Sequence, residues 1–241
     1  MSEEVRTSEF KRLFVGVRVS VPTANALSSA AETLARRARE AGVEVRWVAP
    51  VSYHITLGFL GNTRVDAITA ITDALDEAAR GTKDFKLKTS RLGAFPSLDK
   101  PRVIWAGVED QSGELVALAS RVAEAMHRLG HGDRTPFHPH VTIGRIKELP
   151  PKLSSLKEVV LPLAEQMFGD TRVDAITLVE SETKSTGSVY RDVHRAAFKT
   201  AVSDHPESGK RQSEALPLGA PGEPVSIDRE TDDGWPRGHD S

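Results

Sequence analysis

The sequence predicts an α+β fold of two similar lobes facing each other across a cleft. Three observations carry this reading. Strand-like and helix-like segments alternate from residue 12 to residue 199, and the alternation restarts near residue 102. Each half also holds one copy of the pattern His-x-Thr-x-Gly inside a strand-like run, "HITLG" from His54 and "HVTIG" from His140. Two copies at this separation are too few and too widely spaced for a solenoid, whose units span roughly 20–50 residues.

The elements follow in order. "RLFVGVRV" (12–19) reads as a buried strand. In "TANALSSAAETLARRAREAG", Leu27, Ala30, Ala31, Leu34 and Ala38 recur at helical spacing, and Gly42 ends the helix. "VEVRWV" (43–48) is strand-like, Pro50 breaks it, and "YHITLGFL" (53–60) is a further strand. A second helix is expected over about 64–80, with Val65, Ile68, Ile71, Leu75 and Ala78 on one face and Gly81 at its end. "FKLKTSRL" (85–92) alternates as a half-buried strand.

In the second half, "RVIWAGVE" (102–109) is a strand. A helix follows, with Ser112 as its N-cap and Leu115, Leu118, Val122, Met126 and Leu129 inward. "HPHVTIGRI" (138–146) is a strand, a short helix is expected within 154–167, and "RVDAITLVESET" and "SVYRDVHRAAF" form an antiparallel pair across "KSTG". The domain is placed at 11–200, after a flexible N-terminus (1–10). From about Ser203 the chain is rich in Pro, Gly, Ser and acids without apolar periodicity, so 201–241 reads as a disordered tail.

Composition bounds the function. Apolar residues make up 39% of the 241, enough for a core, and no apolar run approaches the ~18 residues that cross a bilayer. The start, "MSEEVRTSEF", lacks a secretory h-region. Cysteine is absent, which removes disulfides, thiolate zinc sites and a cysteine nucleophile and fits a cytoplasmic setting. The tail carries four basic and nine acidic residues; the body carries 28 and 25, a net of +3. That balance tolerates a phosphate-bearing ligand and lacks the strongly basic footprint of a duplex-DNA binder. No Gly-rich phosphate loop points to ATP.

Alternation along a strand puts His54 and Thr56 on one face and Ile55 and Leu57 on the other. His140 and Thr142 share a face likewise, opposite Val141 and Ile143. With the apolar members in the lobe cores, two imidazoles and two hydroxyls converge on the cleft. Displacement at phosphorus needs a base on the attacking oxygen and an acid on the leaving oxygen. Histidine serves either role because its pKa of about 6.5 lets both forms exist near neutrality. Threonine hydroxyls can bond the non-bridging oxygens, where charge accumulates. The scheme needs neither metal nor cofactor. One His-x-Thr would mean little, since a histidine on a half-buried strand is usually structural; two copies in equivalent places are harder to assign to chance.

These residues resemble the 2H phosphoesterases, and within them the RNA 2′,3′-cyclic phosphodiesterases, also called 2′-5′ RNA ligases. The resemblance runs over about 11–200: "KRLFVGVRV" is similar to the family's opening strand, "VRWVAPVSYHITLGFLG" to its first motif and "PFHPHVTIGR" to its second. "ITLVESETKSTGSVYRDVHRAAF" is similar to its closing hairpin. The resemblance implies antiparallel sheets around a central cleft with helices outside. It also implies opening of a 2′,3′-cyclic phosphate at an RNA end to a 2′-phosphate, with reversible 2′-5′ ligation as the related reaction. His54 and Thr56 match the family's first motif and His140 and Thr142 its second; we take His54 as proton donor, His140 as proton acceptor and Thr56 and Thr142 as phosphate ligands, although the pseudo-symmetry would let the two histidines exchange roles. The sequence departs from the family where "PVSYH" replaces the usual "PENLH", at His138 where Arg is common, and in its tail.

Arg145, Tyr53 and Phe137 are candidate substrate contacts. Arg145 lies three residues after Thr142, so an ideal strand turns it away, and a surface ion pair is an equal alternative. Phe137 and Tyr53 could stack a base or pack in the core. His138 and His140 share a face, but no further ligand completes a metal site. His127 and His131 read as solvated, His194 as structural, and "LARRAREAG" as a solvated basic helix face. The expected partner is RNA with a 2′,3′-cyclic phosphate end or a small nucleotide, not a membrane, and the chain is expected to be a monomer. The alternatives are a phosphodiesterase for 2′-5′-linked or small cyclic nucleotides, or an RNA- or nucleotide-binding module without turnover.

Overall fold

The computed structural model describes residues 9–132, 136–150, 156–184 and 187–198. The expected flexible N-terminus (but for its last two residues), the centre of the "KSTG" turn and the expected disordered tail lie outside the described residues. The elements run β1 (Phe10–Arg18), α1 (Val21–Glu40), β2 (Glu44–Trp47), β3 (His54–Arg64), α2 (Ile68–Ala79), β4 (Phe85–Phe95), β5 (Val103–Glu109) and α3 (Glu114–Arg128). There follow β6 (His140–Glu148), α4 (Lys157–Val160), β7 (Met167–Val173), β8 (Ala175–Lys184) and β9 (Gly187–Ala197).

All strands are antiparallel and join one sheet, in the order β7-β4-β5-β6-β3-β1-β8-β9, with β2 also paired to β6. The junction between its two halves is narrow: β3 meets β6 through the pair Ile55↔Val141. One lobe is β3-β1-β8-β9 with α2 against β8 and β9 and α3 against β3; the other is β7-β4-β5-β6-β2 with α1 against β7 and β2.

The lobes therefore do not follow the two halves of the sequence. The first half supplies β1 and β3 to one lobe and β2 and β4 to the other. Helix α1 explains the crossing. Its 20 residues span about 30 Å, enough to carry the chain from β1 over the far lobe before β2 begins. Its face Leu27, Ala30, Ala31, Leu34 and Ala38 is buried as the spacing predicts, and each buried leucine contributes about 2 kcal/mol. Ser20 caps its start, and the Ser20 and Thr23 hydroxyls both donate to the Asp170 carbonyl, fastening α1 to β7.

Other local differences have physical causes. Val65 is exposed because a 3-10 turn at Val65–Ala67 precedes α2. Leu129 is exposed because α3 has ended at Arg128. Asp110, not Ser112, is the main acceptor at the start of α3: its carboxylate accepts from the N–H groups of Gly113, Leu115 and Val116, while Ser112 accepts from Glu114. Strand β7 was hidden by a register shift against β4 beside Gly169, which breaks the alternation so that Phe168, Thr171 and Val173 are the buried residues. Among the described residues no helix is long and apolar enough to cross a membrane.

Candidate active site

The site is built on the seam. Ile55 and Val141 are buried partners. Continuing their antiparallel register sets His54 across from Thr142 and Thr56 across from His140, so a local twofold relates the motifs. Leu57 and Ile143 are buried in the core. His54, Thr56, His140 and Thr142 all line one cleft of about 1140 Å³.

The twofold extends to a defect. Gly16 pairs with Thr56 and Val15 with Gly58, leaving Leu57 as an extra residue. Trp105 pairs with Thr142 and Ile104 with Gly144, leaving Ile143 extra at the same motif position. Each bulge resets the alternation. Phe59 opposite Phe14, and Arg145 opposite Val103, thereby return to the face of the threonines. Arg145 consequently points into the cleft, against the ideal-strand expectation. The two motif glycines differ in purpose: a Cβ on Gly144 would lie 2.9 Å from Val45 Cγ1 and 3.1 Å from the Trp47 ring, whereas one on Gly58 would meet nothing within 4 Å.

Each imidazole is oriented by the carbonyl two residues before it. His54 Nδ1 lies 2.7 Å from the Ser52 oxygen, and His140 Nδ1 lies 2.7 Å from the His138 oxygen. A carbonyl only accepts, so both Nδ1 atoms carry hydrogen and both Nε2 atoms are left for chemistry. The settings differ. His54 stacks on Phe14 at 4.5 Å and meets the Tyr190 edge at 5.3 Å, while His140 meets the Phe95 ring edge-on at 5.0 Å.

Burial pushes the His54 pKa down from 6.5 to about 4; the Ser52 carbonyl opposes this, and the charges of Arg18, His140 and Arg145 add to it. Burial also lowers His140, against the His138 carbonyl and with help from Arg145 and His138. Both imidazoles are thus biased to the neutral form, in surroundings that favour an anion. Gly16 beside the first of them lets the backbones of β1 and β3 approach closely: a Cβ there would sit 2.9 Å from the Ile55 carbonyl.

Of the remaining candidates, Phe137 lines the cleft and also packs against the core. Tyr53 is turned away from the cleft: it is 2% exposed, lies in the core, and burial with the Glu32 charge pushes its hydroxyl to about 12. Its odd position relative to His54 turns it inward. His127 and His131, expected to be solvated, both line the cleft. His194 binds Asp76 at 2.8 Å, tying β9 to α2. Arg37, on the basic face of α1, donates to the Glu158 carbonyl. Among the described residues no group of three or more His, Asp or Glu side chains is placed to hold a metal ion.

Sequence reasoning missed the aromatic lining, Phe14, Phe59, Phe95 and Tyr190, and two arginines, Arg12 and Arg46. The signal for Phe59 and Arg145 was available: they occupy the same place in the two motifs.

A model of the 2′-5′ RNA ligase superfamily matches residues 26–185, a span that contains both motifs. The RNA 2′,3′-cyclic phosphodiesterase of Archaeoglobus fulgidus is 34% identical over 149 residues, covering 62% of this chain and 81% of the relative. That of Aquifex aeolicus is 36% identical over 148 residues, covering 60% and 77%. The crystal structure of a Thermus thermophilus protein superposes with a TM-score of 0.65 at 26% identity, covering 78% of this chain and 97% of its own. The extent of the family match, and relatives above 30% identity covered over most of their length, establish that the chain belongs to the 2′-5′ RNA ligase superfamily.

Proposed function

We propose that the protein hydrolyses the 2′,3′-cyclic phosphate at an RNA end to a 2′-phosphate, as an RNA 2′,3′-cyclic phosphodiesterase acting without metal. The carrying observation is the twofold pair of imidazoles, each anchored through Nδ1 with Nε2 left toward one cleft. The names of the relatives support the substrate.

In this reading His140 Nε2 takes a proton from water as its oxygen bonds to phosphorus. The bond from phosphorus to O3′ breaks, and His54 Nε2–H delivers a proton to O3′. Thr56 and Thr142 donate to the non-bridging oxygens, and Arg145 adds charge there. The burial that makes protonated His54 scarce also makes it the stronger acid once charged, and its stack on Phe14 steadies the cation. The phosphate supplies the negative charge that offsets the depressed pKa values. A 5′-hydroxyl in place of water would give the joining reaction. The protein works as a monomer in a cytoplasmic setting.

The test is turnover of 2′,3′-cyclic AMP in EDTA, with product resolved against 2′-AMP and 3′-AMP. Formation of 2′-AMP is expected. Formation of 3′-AMP, or dependence on an added metal, would overturn the scheme. Phe59, 56% exposed in the cleft, favours a nucleobase-bearing ligand over a bare sugar phosphate.

A further inference from the structure

The geometry points to a second phosphate site, on Arg46, that takes the phosphodiester one nucleotide before the cyclic end; this rests on the functional reading above. Arg46 on β2 and Arg145 on β6 are Cα partners in the antiparallel register. Both are exposed and both line the cleft. Like charges directly opposite each other destabilise an antiparallel pair, and nothing among the described residues relieves this one. The acid nearest on β2, Glu44, is already bound to Lys147 at 2.6 Å. Neither arginine makes a salt bridge among the described residues. An anionic ligand is the natural counter-charge.

The two arginines are not equivalent. Arg145 bears on both imidazoles, so it belongs to the reacting phosphate. Arg46 is rooted on the neighbouring strand β2, opposite a β6 position five residues past His140, which sets it a step further along the cleft. Side chains as long as arginine, rooted on strands about 5 Å apart, splay far enough to reach successive phosphates of one nucleotide chain. Phe59 holds the equivalent place in the other motif, and an aromatic ring suits a base rather than a phosphate. The cleft is therefore directional: base toward Phe59, upstream chain over Arg46. An RNA end with at least one internal phosphodiester is therefore the better substrate, and a free cyclic mononucleotide the poorer one.

The experiment compares kcat/KM of the full chain for 2′,3′-cyclic AMP and for the dinucleotide ApA ending in a 2′,3′-cyclic phosphate. The ratio of the two values does not depend on the fraction of folded enzyme. Wild type is expected to prefer the dinucleotide, and Arg46→Gln to lower that preference roughly tenfold, the lower end for a charge-assisted hydrogen bond. The dinucleotide should also show a steeper salt dependence, by a log–log slope of about 0.7 for one single-stranded phosphate contact. An unchanged ratio in Arg46→Gln would overturn the inference. So would loss of the preference in Arg12→Gln instead, since Arg12 lines the cleft on the Phe14 side and that result would run the strand the other way. If neither substrate is turned over, the functional reading fails and this inference falls with it.

Discussion

Replacing His54 by Asn should remove much of the acid sensitivity of the fold. The variant keeps a short side-chain donor for the Ser52 carbonyl and deletes the titrating ring. In the unfolded chain the imidazole takes a proton near pH 6.5; in the folded protein it does so only near 4. Between these values the unfolded chain holds the extra proton, so stability rises with pH. The contribution is complete above about pH 6.5 and is lost as pH falls toward 4. Each unit of difference corresponds to about 1.4 kcal/mol, so wild type should lose about 2–3 kcal/mol through His54 between pH 7.5 and pH 4.5. Urea unfolding of wild type and His54→Asn at both pH values reads this directly. The loss through His140 has the same sign and is common to both proteins, so it cancels in the comparison. Saturating inorganic phosphate should shrink the difference by raising the folded pKa. Parallel loss of stability in the two proteins would refute the claim that burial under Phe14 and Tyr190 holds His54 neutral.

Three further outcomes follow from the geometry. Thr142→Val removes a hydroxyl aimed at the phosphate oxygens and should lower kcat by about 10²-fold with intact folding by circular dichroism. Gly144→Ala forces a methyl against Val45 and Trp47 and should lower stability in urea unfolding by about 1–3 kcal/mol. Tyr53→Leu, a change confined to the core, should leave turnover of 2′,3′-cyclic AMP within about twofold.

The sequence made the apolar face of α1, the strand positions of both motifs and the pairing of each histidine with a threonine legible, because period 3.6 and period 2 are local properties. It did not make the lobe membership of the strands legible. That depends on where α1 delivers the chain, and the helix pattern states which face is buried but not against which sheet. The orientations of Arg145 and Tyr53 depart from the strand pattern's simplest reading for related reasons. Strict alternation sends Arg145 away from Thr142, but the bulge at Ile143 brings it back. Tyr53 was drawn toward the site by adjacency to His54, although adjacent residues face opposite ways as a strand begins, and here it is core. The arginine pair was invisible for another reason: Arg46 and Arg145 are about a hundred positions apart and become neighbours only through the register of β2 on β6.

The central claim is that two imidazoles act as one unit on one phosphate. Its most direct test is a double-mutant cycle on turnover of 2′,3′-cyclic AMP with wild type, His54→Ala, His140→Ala and the double variant. General acid–base assistance is worth about 10²–10⁴-fold, and groups that act together are strongly non-additive. The account predicts that each single variant loses activity in that range and that the double variant is scarcely worse than either. Losses that multiply, or one single variant that retains wild-type turnover, would contradict it.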